Sequence, residues 1–280
     1  MSYLTTNDGT RLYYRDYGTG KPIVFVHAWA MTSGFWDYVI PHFVQQGYRA
    51  ISFDRRGHGK SDDPGRGYDY ATFTDDLHSL MVQLDLHDVT LIGHSMGGAE
   101  VMRYQTRYGK EGIVSRLVLV AAPERVKKAA DNPEGIDGAM LNKMLDNISA
   151  DYPQWLADNA YPFFPTASEG MVRWTIEMML QVSSRYVCLE CQRLVYFSDF
   201  RPDATGIDVP TLIIHGDADA SIPIRCGYAL ARLIPDNIFK VYEGAPHGLL
   251  VTHTERLNKD ILAFIKDSIG MPLENTLSNA

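Results

Sequence analysis

The sequence predicts an α/β fold with a mostly parallel sheet flanked by helices. Short apolar runs rich in β-branched residues recur at 23–26, 89–92, 117–121 and 211–214, without the in–out alternation of half-exposed strands. Between such runs lie segments whose apolar residues recur at helical spacing, and this strand–helix alternation implies crossover connections. The 280 residues, 45% hydrophobic and 11% aromatic, suffice to bury a sizeable core.

Taken in order, 3–5 and 12–17 form a hairpin around the turn residues Asn7, Asp8 and Gly9. The buried run 23–26 follows, then a helix over 35–46 and a strand over 48–53 that ends in Asp54-Arg55-Arg56-Gly57-His58-Gly59. The segment 72–86 reads as a helix with Thr72 as cap, Asp75 and Asp76 in its first turn, and an apolar stripe through Phe73, Leu77, Leu80, Met81 and Leu84. Strand 89–92, helix 96–108 and strand 117–121 continue the alternation, and 211–214, 225–233, 238–242 and 253–266 close it, for eight strands in all.

Residues 123–206 break the rhythm. They carry helical patterns at 140–148, 171–182 and 186–197 and a high density of aromatics. The expected organisation is an α/β core from 1–122 and 207–269, a helical cap over 123–206 inserted between core strands, and a disordered tail over 270–280.

Several function classes are disfavoured. The net charge is −8 and no basic block exceeds Lys127-Lys128, so a nucleic-acid partner is not expected. Three cysteines do not make a secreted disulfide framework. Cys188 and Cys191 have C-x-x-C spacing but no second pair and no nearby histidine, so helix packing is expected there, with neither metal nor redox chemistry. The N-terminal MSYLTTNDGTRLYY lacks the pattern of a signal peptide, and no apolar run reaches the roughly 18 residues of a membrane span. A cytoplasmic protein without membrane contact is the expectation.

The strongest chemical signal is VTLIGHSMGGAE. A buried strand runs into Gly93-His94-Ser95-Met96-Gly97, and a helix follows at once, the context that gives G-x-S-x-G its meaning. The glycines leave room for a turn so tight that flanking side chains would clash, and Ser95 is held up as a nucleophile. Serine needs a base, and the base a carboxylate, both expected after later strands at the carboxyl edge of the sheet. The loop after 211–214 offers Asp217 and Asp219, and the loop after 238–242 offers His247 in a Gly-Ala-Pro-His-Gly setting. His253 competes with His247 but falls at a helix start, where a structural role fits it better. An oxyanion formed at Ser95 needs backbone donors. Met96 N–H, at the helix N-terminus, is one, and the other is expected from the loop after 23–26.

At this point the chain resembles the α/β-hydrolases, and within them the cofactor-free haloperoxidase and aryl esterase branch. FVHAWAMTSGFWDY, GYRAISFDRRGHGKSDDP, DLHDVTLIGHSMGGAEVMRY, VPTLIIHGDADASIP and KVYEGAPHGL carry the resemblance, which is weaker in the cap. It implies Asp219 as the triad acid, with Asp217 fixing its loop, and Trp29 N–H as the second oxyanion donor. Ala28 departs from the usual glycine and implies a loop geometry that alanine tolerates. Ala30 stands where haloperoxidase-like members often carry the proline associated with perhydrolysis, which points to water as the acyl acceptor.

His27, His58, Arg55 and Arg56 are expected to tie loops together, His94 to point away from the acyl site, and Arg125 to lie at the surface. Trp29, Met96 and the cap aromatics Phe163, Phe164 and Trp174 are expected to line the pocket. The resulting expectation is a serine hydrolase of small acyl or aryl esters, needing no cofactor and no metal. Perhydrolysis, lactone, amide or carbon–carbon bond cleavage, and a non-catalytic binding role are the alternatives. The resemblance also allows a homo-oligomer.

Overall fold

In the computed structural model, residues 2–182 and 184–267 are described. Its strands are β1 (Ser2–Thr5), β2 (Arg11–Tyr17), β3 (Pro22–Val26), β4 (Arg49–Phe53), β5 (Val89–His94), β6 (Val114–Val120), β7 (Thr211–Gly216) and β8 (Asn237–Tyr242). They form one 8-stranded sheet in the order β1-β2-β4-β3-β5-β6-β7-β8. The β1–β2 and β2–β4 pairings are antiparallel and all others parallel. Asn7-Asp8-Gly9 does turn the first hairpin: Gly9 adopts φ 87°, and Asp8 accepts hydrogen bonds from Thr6 Oγ and Thr10 N–H. Every residue of β5 and β7 is buried, as their unbroken apolar patterns require.

Among the described residues, the helices outside the cap are α1 (Ile40–Gln45), α2 (Tyr70–Gln83) and α3 (Met96–Tyr108) before it, and three after it, named below. The helix expected over 35–46 divides. Ser33–Trp36 make a 3-10 turn, with Thr32 Oγ accepting from Gly34 N–H, and α1 starts only at Ile40 with Pro41 in its first turn. Proline has no amide hydrogen to give, so it suits a first turn and not a helix interior. The helix expected over 72–86 begins at Tyr70, and Asp69, not Thr72, caps it, its Oδ1 accepting from Thr72 N–H at 2.9 Å. Asp75 and Asp76 thereby move into the second turn.

Among the described residues, five helices lie between β6 and β7: α4 (Gly138–Ala150), α5 (Tyr152–Phe163), α6 (Glu169–Met179), α7 (Arg185–Phe197) and α8 (Arg201–Thr205). The sequence patterns anticipate α4, α6 and α7. They miss α5, whose interior Pro162 argues against a helix, although Asp151 caps it by accepting from Gln154 N–H and Pro153 sits in its first turn. After the cap come α9 (Arg225–Leu233), α10 (Leu249–Thr252) and α11 (Thr254–Asp267). The tail expected over 270–280 lies outside the described residues.

One buried charge joins three of these elements. Arg55, just past β4, is fully buried together with Glu100 on α3, and its Nε donates to Glu100 Oε2 at 2.8 Å. Its Nη2 donates to the His27 carbonyl at 2.9 Å, and its backbone N–H to His27 Nε2 at 3.1 Å. His27 in turn donates from Nδ1 to the Ala28 carbonyl at 2.8 Å. Burial, reinforced by the Arg55 charge, keeps the His27 imidazole neutral well below the usual histidine range and lowers His58 to about 3. Arg56 pairs with Asp76 on α2 at 2.6 Å and with Asp8 in the first hairpin at 3.0 Å.

Removing one member of a buried pair strands the other without water. Arg55→Met is expected to destabilise the fold by about 3–5 kcal/mol, read from urea unfolding, and Glu100→Leu in the same chain to recover part of the loss. A single variant as stable as the wild type would remove the clamp from the account. A second expectation concerns acid. His27 and His58 titrate below the 6.5 or so of unfolded histidine, so the unfolded chain binds more protons below that pH. Their contribution is complete above pH 6.5 or so and is lost as pH falls below it, at up to about 1.4 kcal/mol per pH unit for each imidazole, for His58 down to about 3. His58→Gln is expected to flatten the slope of stability between pH 7 and pH 5 by one proton.

Candidate active site

The site is assembled where β4 and β5 flank β3, so that the chain leaves the sheet in opposite directions from neighbouring strands and opens a crevice at the carboxyl edge. Ser95 occupies the single residue between β5 and α3, at φ 55° and ψ −118°. This is left-handed territory that L-residues enter only when their surroundings enforce it. The surroundings here do. Ser95 N–H donates to the Val120 carbonyl at 2.9 Å. A Cβ on Gly93 would strike the Gly97 backbone, and one on Gly97 would strike the Val26 and His27 carbonyls. The glycines are therefore what lets α3 start directly against β3.

The structure brings His247 and Asp219 to Ser95. His247 Nε2 lies 2.9 Å from Ser95 Oγ, and His247 Nδ1 lies 2.7 Å from Asp219 Oδ2. Asp219 Oδ1 accepts from the backbone N–H groups of Ser221 and Ile222, both at 2.8 Å. Burial alone would raise this carboxyl, but the neighbouring His247 charge and the bonds from His215 and His247 outweigh it and hold Asp219 far below the usual carboxylate range. An ionised Asp219 puts the proton of neutral His247 on Nδ1, leaving Nε2 free to accept from the serine hydroxyl. Asp217 lies apart, its Oδ1 accepting from Gly244 N–H at 2.6 Å. His253 stands between α10 and α11, its Nδ1 bonded to Thr252 Oγ at 2.8 Å.

The loop after β3 turns at Ala28–Met31, closed by Met31 N–H donating to the Ala28 carbonyl at 3.3 Å. Such a turn uses the groups at its first and fourth positions and leaves the N–H of the second, Trp29, unengaged. Neither Trp29 N–H nor Met96 N–H meets an acceptor among the described residues. The strain in this loop sits where the sequence did not indicate it. Ala28 is not among the residues with positive φ, whereas Ala30 is, at 56° and fully buried. The third position of such a turn favours glycine.

The cavity over Ser95 measures about 160 Å³. Trp29, Phe163 and Phe164 line it. Trp174 does not: it projects from α6 onto Tyr38, the ring centroids 5.6 Å apart, because the inward face of α6 carries Val172, Thr175, Met178 and Met179. Met96 is fully buried beneath the turn and is absent from the walls, so only its N–H is placed to matter. His94, expected to point away, lines the cavity, with its ring 5.0 Å from that of His247 and its Nε2 donating to the His247 carbonyl at 3.0 Å. Burial, then the nearby His247 charge, lowers His94 to about 3, so it stays neutral. Sequence reading missed Trp155 on α5, Met144 on α4, and Gln192, Val195 and Tyr196 on α7. The spacing of the last three marks one helix face, but nothing in the sequence says that this face looks onto Ser95.

The cap is bonded to the reacting loops. Trp29 Nε1–H donates to the Cys188 carbonyl on α7 at 2.9 Å, and the indole meets Trp155 edge-on at 5.6 Å. Gly248 N–H, beside His247, donates to the Phe163 carbonyl at 3.0 Å, and the Phe163 ring stands edge-on to the imidazole at 5.7 Å.

Comparison with known proteins fits this geometry. A family model described as alpha/beta hydrolase fold matches residues 21–254. The non-heme chloroperoxidase of Kitasatospora aureofaciens is 36% identical over 276 residues, spanning 95% of this chain and 99% of its own. A bifunctional esterase/perhydrolase of Acinetobacter calcoaceticus is 33% identical over 280 residues, spanning 95% and 100%. The solved bromoperoxidase from Bacillus anthracis superposes with a TM-score of 0.90 at 37% identity, covering 95% of this chain and 100% of that one. On the fold, the family model and these relatives together, the chain belongs to the α/β-hydrolase family, with non-heme haloperoxidases among its relatives.

Proposed function

We propose that the protein is a serine-dependent hydrolase of small carboxylic esters that works through an acyl-enzyme on Ser95. The observation that carries this reading is the unbroken run from Asp219 Oδ2 through His247 to Ser95 Oγ, at 2.7 and 2.9 Å, together with two backbone N–H groups, of Trp29 and Met96, that have no acceptor among the described residues. In the first half-reaction His247 Nε2 takes the serine proton as Oγ attacks the ester carbonyl. The oxyanion is held by Trp29 and Met96 N–H, each donor worth about 3 kcal/mol of transition-state stabilisation in comparable sites. His247 then returns the proton to the departing alcohol, and a water activated by the same imidazole releases the acid. Asp219 keeps the imidazole oriented and stabilises its charged form without taking up the proton.

The cavity bounds the substrate. At about 160 Å³ it is near the roughly 150 Å³ that admits a benzene ring. Its aromatic and aliphatic walls suit small acyl or aryl groups over charged ones. Lactones are compatible with the same chemistry.

Perhydrolysis is the second reading, favoured by the relatives named as chloroperoxidases and as a bifunctional esterase/perhydrolase. In that route peroxide takes the place of water in releasing the acyl group. The φ of 56° at Ala30 speaks for water, because proline is fixed near −65° and has no place in this turn as built.

Hydrolysis of p-nitrophenyl acetate and butyrate is expected, with Ser95→Ala lowering kcat by at least about 10³-fold. A pure, folded protein that turns over no ester at all would end this reading. Peroxide-dependent bromination of monochlorodimedone as fast as ester hydrolysis would favour the second one. Ala30→Gly is expected to raise stability by about 0.5–1 kcal/mol, since it relieves the left-handed penalty and gives back part of that gain as unfolded-state freedom. Ala30→Pro is expected to lower ester turnover about tenfold or more by displacing the Trp29 donor.

A further inference from the structure

The wall of the cavity formed by α7 is not uniformly apolar. Cys188, Gln192, Val195 and Tyr196 stand at i, i+4, i+7 and i+8 and so share one face of the helix. That face begins at the loop after β3, where the Cys188 carbonyl accepts the Trp29 indole N–H at 2.9 Å. Gln192 lies just over one turn beyond Cys188, about 6 Å along the helix axis. It lines the cavity and is 7% exposed. A polar neighbour on the same helix face is the Tyr196 hydroxyl, a turn further on, which itself donates to Met144 Sδ at 3.8 Å. A primary amide offers two N–H donors and a carbonyl with two lone pairs, more than one hydroxyl engages. The other amide on the cavity wall, Asn159, already donates from Nδ2 to the Trp155 carbonyl of its own helix at 2.7 Å.

An amide buried in an apolar wall is unfavourable unless something completes its hydrogen bonds. A small apolar acyl group would leave it incomplete, whereas a ligand oxygen at the right distance would not. The acyl half stays on Ser95 through both half-reactions while the alcohol departs, so an enclosed cavity serves the acyl half.

We propose that Gln192 is the recognition point for the acyl chain, and that the preferred substrates are esters whose acyl group carries an oxo or hydroxyl oxygen along its chain. This inference rests on the ester-hydrolase reading and names the substrate class of the same site.

The test separates binding from turnover. Ethyl 5-oxohexanoate carries a keto oxygen in its acyl chain, and ethyl 5-methylhexanoate replaces that oxygen with a methyl group. With Ser95→Ala protein as a non-turnover trap, titration calorimetry is expected to show the oxo ester binding about tenfold more tightly than its methyl counterpart. Gln192→Leu in the same trap is expected to abolish or invert that ratio, and Gln192→Asn, which keeps the amide but withdraws it by one methylene, to leave an intermediate ratio. Thermal melting checks that each variant is folded. In the Ser95-containing enzymes the ratio of kcat/KM for the two esters is expected to follow the binding ratio. Equal binding of the two esters, or a preference that survives Gln192→Leu, would overturn the role of Gln192. Oxo-ester selectivity in binding without hydrolysis by the Ser95-containing enzyme would sustain Gln192 and overturn the ester-hydrolase reading.

Discussion

The buried guanidinium of Arg55 is the constraint on which the site depends. It sits in contact with a carboxylate on α3, the helix that Ser95 begins, and with the backbone of His27, which leads into the loop carrying Trp29. The serine turn and the facing loop are therefore referenced to one charge. A charge so placed is costly to desolvate, and the return is geometric, since one planar guanidinium donating to a carboxylate oxygen and to a backbone carbonyl at once fixes both partners in angle as well as distance. The neutral His27 imidazole completes the arrangement by accepting from Arg55 N–H on one side and donating to Ala28 on the other.

The cap is part of the same construction and not a separate lid resting on it. Its α7 receives the Trp29 indole N–H, and the end of α5 receives the amide of Gly248, immediately after His247. Packing reinforces the second bond, because a Cβ at Gly248 would run into the Phe164 ring. The walls that set the size of the cavity and the loops that hold the reacting groups thus share contacts. Changes to the cap aromatics act on the orientation of Trp29 and His247 as well as on the space above Ser95.

Charge is distributed with the same economy. Among the described residues Asp219 is the one anion in contact with the Ser95–His247 pair, and it is stabilised by two backbone N–H donors besides His247. His94, buried against the His247 ring, is kept neutral and gives its proton to the His247 carbonyl, so it adds a hydrogen bond near the base without adding a competing charge. The strained residues Ser95 and Ala30 lie next to the two proposed oxyanion donors, Met96 N–H and Trp29 N–H. Strain of this kind persists only where neighbours leave no alternative, and the fully buried surroundings of Ala30 do so.

What the sequence by itself determined was whatever follows from local pattern. Unbroken apolar runs named the parallel strands, and Gly93, Ser95 and Gly97 between a strand and a helix named the serine turn, because that backbone needs those glycines wherever it occurs. Chain order and loop composition brought out Ser95, Asp219 and His247. Local pattern also left errors of a local kind: Asp69 in place of Thr72 as a cap, and α5 concealed by a proline near its end. Only the tertiary structure decided the rest. Whether Trp174 or Trp155 faces the cavity depends on the rotation of α6 and α5 against the sheet, which no periodicity fixes. The positive φ fell on Ala30 and not at Ala28 because the turn is closed by a bond three residues long and buried beneath the cap. Gln192 reads along the chain as one polar residue in an amphipathic helix. Only folding, which lays α7 across the loop of Trp29, turns it into an amide on the wall of the cavity over Ser95.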